Sequence, residues 1–370
     1  MTMPAPVGPC RAPDGTYHFT VWAPRARRVD IALLDDPGTL APMTAQPRGY
    51  WYAEIASLTH GARYFLVLDG ERRRADPAAQ HQPEGVHGPS AVVDHERFAW
   101  TDKAFLPPPL EAYVIYELHV GTFTPHGTFD AAVERLGHIR RLGATAVELM
   151  PVAQFPGSRN WGYDGVFPFA VQNTYGGPEG LKRFVDACHG LGLAVILDVV
   201  YNHLGPEGNV LRDFGPYFTA RRHTPWGQAV NFDGRPSSHG RAVSDFFLAN
   251  AWYWFTRFHI DALRLDATPW LFDARPRPFL RQLAELADEI GALRQREEDH
   301  PRANRRPLLF AEDDRNEPRL VLPPERGGLG LDGVWSDDLH HAAHALLTGE
   351  RQGYYQDFGT VEDLAALKPD

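Results

Sequence analysis

Three short stretches carry residue types suited to acid–base and nucleophilic chemistry. Asp198, Asn202 and His203 close one apolar run. Arg264-Leu265-Asp266 closes a second, and Ala311-Glu312-Asp313 a third. A carboxylate leaving an apolar strand is costly unless it has partners or a task. Alternation along a strand puts Arg264 and Asp266 on one face. A guanidinium two residues from a carboxylate keeps it ionised and oriented, which suits a nucleophile. Glu312, on the next strand, would stay protonated and serve as the acid. Two carboxyl groups about 5–5.5 Å apart serve a retaining glycosidase. The sequence gives adjacent strands ending at similar depth, not that distance. Taken singly, each feature has a plainer reading. Arg-x-Asp is commonly a structural ion pair, His203 a packed or capping side chain, and Asp198 a loop cap. Asp313 and Asp314 read as solvated loop carboxylates, and most of the nine tryptophans as core. The joint order, with each group ending a successive strand, is what points to catalysis.

Such groups need a scaffold that brings strand ends together. After residue 110, continuous apolar runs at 113–120, 145–152, 193–200, 261–267, 308–312 and 333–337 alternate with helical segments at 128–142, 180–191 and 245–258. Unbroken Val/Ile/Leu runs mark strands buried on both faces, hence a parallel sheet. Repeated βα units predict a TIM-type (β/α) barrel, whose active site lies at the C-terminal strand ends. Only about six of the eight strands are legible before the sequence stops at Lys368-Pro369-Asp370, so the barrel is expected to be incomplete, lacking strands seven and eight. The charged stretch 294–306 reads as a solvated loop.

Residues 1–93 have a different texture. Alternating segments at 18–22, 29–33, 50–55 and 63–68 are separated by turn clusters such as Pro13-Asp14-Gly15, Asp36-Pro37-Gly38 and Asp69-Gly70. This predicts an antiparallel, immunoglobulin-like β-sandwich. Residues 94–109, ending in three prolines, read as a linker. Residues 110–370 then form the barrel.

Composition narrows the function. The chain has 370 residues, 43% of them hydrophobic, enough for two cored domains. Its net charge of −10 offers no basic footprint for nucleic acid or anionic membrane. Cys10 and Cys188 have no metal-type spacing, and neither a signal peptide nor a membrane span is legible. A soluble, cytoplasmic, globular protein is expected.

The same residues resemble the α-amylase family of glycoside hydrolases. Asp198 through His203 looks like the family's first conserved region, Leu263 to Ala267 its second, and Ala311-Glu312 its third. Trp161-Gly162-Tyr163-Asp164 resembles the loop whose tyrosine stacks on the sugar at the cleavage site. A narrower likeness joins Leu149-Met150-Pro151-Val152, Trp335-Ser336-Asp337-Asp338-Leu339-His340-His341 and Gly353-Tyr354-Tyr355 to members that release trehalose from a maltooligosaccharide carrying it at one end. The resemblance implies Asp266 as nucleophile and Glu312 as acid and base. It implies Arg264 as the group orienting Asp266, with His203, Tyr163 and Trp161 at the sugar and Asp198 supporting them. The N-terminal sandwich is similar to the glucan-associated module of branching and debranching members. An α-glucan partner follows, and the resemblance implies no redox or organic cofactor and no required metal, Asn202 being the position through which some members bind calcium. The family's His-Asp pair on strand seven and its C-terminal β-domain have no counterpart here, so little hydrolysis is expected from the chain as written. Other implied outcomes are a glycogen branching or debranching enzyme, or a glucan-binding protein without catalysis.

Overall fold

Six parallel strands form one curved sheet: β1 (Ile115–Leu118), β2 (Ala146–Leu149), β3 (Ala194–Val199), β4 (Ala262–Leu265), β5 (Leu308–Glu312) and β6 (Gly333–Trp335). They lie side by side in chain order, which makes six staves of a barrel. This computed structural model describes residues 6–35, 40–233, 239–296 and 305–366. The expected strands are thus all present, each at or inside its predicted limits. Every residue of β2, β3 and β4 is buried, as unbroken apolar runs require.

Helices cover the outer face. They include α1 (Gly177–Gly190), α2 (His239–Arg257), α3 (Phe279–Arg296) and α4 (Asp337–Thr348). Phe184, Phe247, Trp254 and Leu283 are among the buried side chains that join helices and sheet in one core. The helix expected at 128–142 is two pieces, Phe129–Val133 and Leu136–Arg141. The Arg135 amide bonds to the Ala132 carbonyl three residues back, tightening the chain into a turn between them. The charged stretch from 294 is also not all solvated loop. Arg294 is buried in the last turn of α3, where its guanidinium donates to the carbonyls of Arg305 and Phe255. Residues 297–304 of that stretch lie outside the described residues, as do the turn at 36–38 and the end of the chain.

The inner face carries a floor and a rim. Ala146, Ala194, Ile196, Ala262 and Phe310 form a small apolar cluster with Phe105. In-register pairing sets Ile196 beside Ala262 and, two residues on, Asp198 beside Arg264. β3 and β4 therefore lay apolar side chains at the floor and polar ones above them.

The N-terminal region is two antiparallel sheets. Gly8–Arg11, Tyr17–Trp22, Tyr50–Ile55 and Thr44–Gln46 make one; Leu40–Pro42, Val29–Leu33, Arg63–Leu68 and Arg72–Arg74, with Ser90–Ala91, make the other. Phe19 and Tyr64 meet edge to face, 5.1 Å between ring centres, in the core between them. The stretch after it is anchored rather than loose. Phe105 stacks on His189 and Trp100 on His259, while the Asp102 carboxylate bonds both imidazoles at 2.8 Å. His189 also bonds Asp261, at the start of β4, at 2.9 Å.

Candidate active site

Arg264 is the hub of the rim. Its Nη1 donates to Asp198 Oδ2 at 2.8 Å and to Asp266 Oδ1 at 3.0 Å, and its Nη2 pairs with Glu312 Oε2 at 2.9 Å. Strand periodicity explains the convergence. Arg264 and Asp266 share a face of β4, Asp198 lies opposite Arg264 on β3, and Glu312 ends β5. The Asp266 amide still bonds the Val199 carbonyl at 3.1 Å, so the ladder runs up to the carboxylate.

Asp266 has a second anchor. Asn202 Nδ2 donates to its Oδ2 at 2.7 Å and to its backbone carbonyl at 2.8 Å. That leaves Asn202 Oδ1 facing His203 Nδ1 at 2.5 Å, and His203 Nε2 reaches the Tyr163 carbonyl at 3.0 Å. Both His203 nitrogens thus face oxygen acceptors, while burial lowers its pKa and opposes the imidazolium. Tyr163 donates its hydroxyl to Asp198 Oδ2 at 3.1 Å. Burial, then the Asp198 charge, keeps that phenol protonated.

The acids differ as their surroundings do. Burial lifts the Glu312 pKa, against the pull of Arg264 and of the Ala267 amide, which donates to Oε2 at 2.7 Å. The neighbouring Asp266 carboxyl lifts it further. Asp198 is pushed up to about 7 by burial, with Arg264 pulling down and Asp266 pushing up. A raised acid beside a doubly anchored carboxylate is the division of labour that a retaining glycosidase uses.

The corner after Asp266 is strained. Ala267 sits in the left-handed region at φ 43°, which aims its amide at Glu312. Thr268 Oγ1 then donates to the Glu312 carbonyl and to Asp313 Oδ2, both at 2.8 Å. Asp313 is therefore no solvated loop carboxylate. It is buried and gripped by Arg315, and despite that burial the Arg315 and Thr268 hydrogen bonds hold its pKa below the ordinary carboxylate value. Asp314 is exposed, as expected.

Trp161 stands apart from the carboxylates. It is 60% exposed, meets His119 edge-on, and lines with Tyr163, Arg159 and His119 a groove of about 500 Å³. Sequence reasoning missed a second exposed tryptophan, beside His203. The hairpin Phe218–Thr224/Gly227–Val230 carries Trp226, which stacks on His203 at 4.4 Å and is 51% exposed. The turn pair Trp226-Gly227 between two alternating segments was the available signal. Of the nine tryptophans, Trp22 and Trp254 are buried and Trp51, Trp100, Trp252 and Trp335 pack partly buried against the core, so most are core as expected; Trp161 and Trp226 are the exposed ones. Among the described residues no group of three or more His, Cys, Asp or Glu is placed to hold a metal ion, and no helix is long and apolar enough to cross a membrane.

Strand order, polar rim and paired carboxyls define a class, and the comparisons agree: the chain carries a catalytic domain of the α-amylase family of glycoside hydrolases. Residues 93–254 match the family profile "Alpha amylase, catalytic domain", and residues 6–79 match "Carbohydrate-binding module 48 (Isoamylase N-terminal domain)". Within the family, the chain is 44% identical to the malto-oligosyltrehalose trehalohydrolase of Saccharolobus solfataricus, over 94% of its own length and 58% of the relative's. It is 47% identical to the enzyme of that name from Arthrobacter ramosus, over 94% and 59%. A crystal structure from Salmonella typhimurium, provisionally described as an alpha amylase, superposes with a TM-score of 0.84 at 38% identity, covering 97% of this chain and 59% of that one. The chain thus spans about three-fifths of the length of the curated relatives it matches.

Proposed function

We propose that this chain carries the nucleophile and the acid–base group of a retaining glycosidase acting on α-glucans. Its proposed substrate is maltooligosyltrehalose, cut at the α-1,4 bond next to the terminal trehalose. The observation that carries the chemistry is the single Arg264 guanidinium shared by Asp198, Asp266 and Glu312 at the ends of three successive strands. The names of the relatives support the choice of substrate.

In this reading Asp266 attacks the anomeric carbon as Glu312 gives its proton to the departing glycosidic oxygen. Trehalose leaves and a β-glycosyl ester remains on Asp266. Glu312, now ionised, takes a proton from water as that water attacks the same carbon. Asp266 is released and the new anomeric hydroxyl is α. Arg264 and Asn202 fix the attacking carboxylate. Tyr163 and His203 hold the sugar ring, Asp198 braces Tyr163 and Arg264, and Trp161 offers an aromatic face further along the glucan. Residues 1–93 serve as the glucan-associated module, 94–109 as the connection and 110–370 as the catalytic half-barrel. A cytoplasmic setting belongs to the same reading, since Cys10 and Cys188 are both free thiols.

The test is product analysis with maltooligosyltrehalose, using the 370-residue chain and a version extended to the length of its relatives. The extended version should release trehalose. The chain alone should release little, because β1 and β6 are sheet edges and leave the cleft open on one side. Branch points formed on amylose, with no trehalose, would instead mark a glucan transferase. Glucan binding that survives Asp266→Asn and Glu312→Gln, without turnover, would mark a binding protein.

A further inference from the structure

Glu148 lies on β2 at the barrel floor, below the residues assigned above. It is fully buried, and neither carboxyl oxygen has a hydrogen-bond partner among the described residues. It pairs in register with Ile196 on β3, two residues before Asp198 on the same face. Asp198 has an orphan too: Oδ2 holds Arg264 and Tyr163, while the buried Oδ1 has no partner. Two buried carboxyls on neighbouring strands, with unmatched oxygens on both, are unstable as a pair of anions. One proton between them turns an acceptor into a donor and removes a charge.

We propose that Glu148 is a positioning residue that shares one proton with Asp198, directly or through a buried water, and so leaves Arg264 free to serve Asp266. The other charged or titratable groups facing the pair are Glu117 on β1, Arg264 and Asp266 on β4, Glu312 on β5, and Tyr163 from the loop after β2. With every acid on this face ionised, one guanidinium would face five carboxylates. With the shared proton, and Glu312 protonated as the acid, the count falls to three carboxylates against one guanidinium. Burial first and Asp198 next raise Glu148 to about 8, in agreement with the geometry.

As a statement about catalysis this rests on the function proposed above. The shared proton itself is read without turnover, so the two can fail separately. The experiment is infrared difference spectroscopy at pH 7 on the 370-residue chain carrying ¹³C-labelled glutamate. Glu312→Gln is compared with the Glu148→Gln/Glu312→Gln double variant, so that the proposed acid does not contribute. Loss of one protonated-carboxyl band in the double variant is expected. Loss of an ionised-carboxylate band instead would overturn the proposal. If the double variant does not fold, ¹³C-carboxyl NMR titration of the unmodified chain decides. Two coupled steps, one on each side of neutrality, are expected; two acids both ionised below pH 5 would overturn it.

Discussion

At the scale of single residues, Arg264 does the most. Its side chain is about one-tenth exposed and is the only cation hydrogen-bonded to Asp198, Asp266 and Glu312 among the described residues. Removing one member of a buried ion pair typically costs about 3–5 kcal/mol, because the partners stay buried and unpaired. Arg264→Met should therefore lower the thermal midpoint sharply at pH 7. The deficit should narrow on acidification, as the abandoned carboxyls take up protons; melting both chains from pH 5 to 8 checks this, and a constant deficit would contradict it. In a version extended to the relatives' length, Asp266→Asn should cut trehalose release by at least about 10³-fold. Glu312→Gln should cost about 10²–10⁴-fold, and less on a substrate whose leaving group needs no proton. An equal loss on both substrates would count against Glu312 as the acid.

At the scale of elements, the strands were legible because burial on both faces writes them as unbroken apolar runs. Leu308–Glu312 was read to the residue. The carboxylates were legible because each breaks such a run at its end. What lay beyond the sequence was contact between loops. Nothing near Asp313 announces that Thr268, one strand away, would bury it, and nothing near His203 announces Trp226. Arg294 likewise reads as surface until its guanidinium meets the carbonyls of Arg305 and Phe255. The corner at Ala267 and Thr268 deserves its own test, since it ties β4 to the end of β5. Thr268→Val keeps the shape but strips the hydroxyl from a buried acceptor. It should destabilise the chain by about 1–3 kcal/mol in denaturant unfolding. A change within a few tenths would mean that the corner holds without it.

At the scale of the molecule, module and barrel are joined by specific groups. Trp22 meets Tyr217 edge-on, 5.0 Å between ring centres, and Arg74 pairs with Asp213 at 2.5 Å. The buried acids of the barrel face give the whole chain a pH signature. Glu148 rises from an ordinary 4.5 to about 8 on folding. Between those values the folded state binds more protons than the unfolded one. The stability it contributes is present below about pH 4.5 and is lost as pH climbs toward 8, by up to about 1.4 kcal/mol per pH unit. Glu148→Gln cannot titrate, so its melting temperature should fall less steeply over that range. Parallel curves for the two chains would contradict the assignment.

The central claim is that Asp266 forms the covalent bond. The most direct test is trapping with a 5-fluoro-α-glucosyl fluoride, which forms its glycosyl-enzyme faster than the ester turns over, followed by peptide mass spectrometry of the extended protein. One hexosyl adduct is expected, on the peptide carrying Asp266, and none in Asp266→Asn. An adduct on Glu312 or Asp198, or trehalose release that persists in Asp266→Asn, would contradict it.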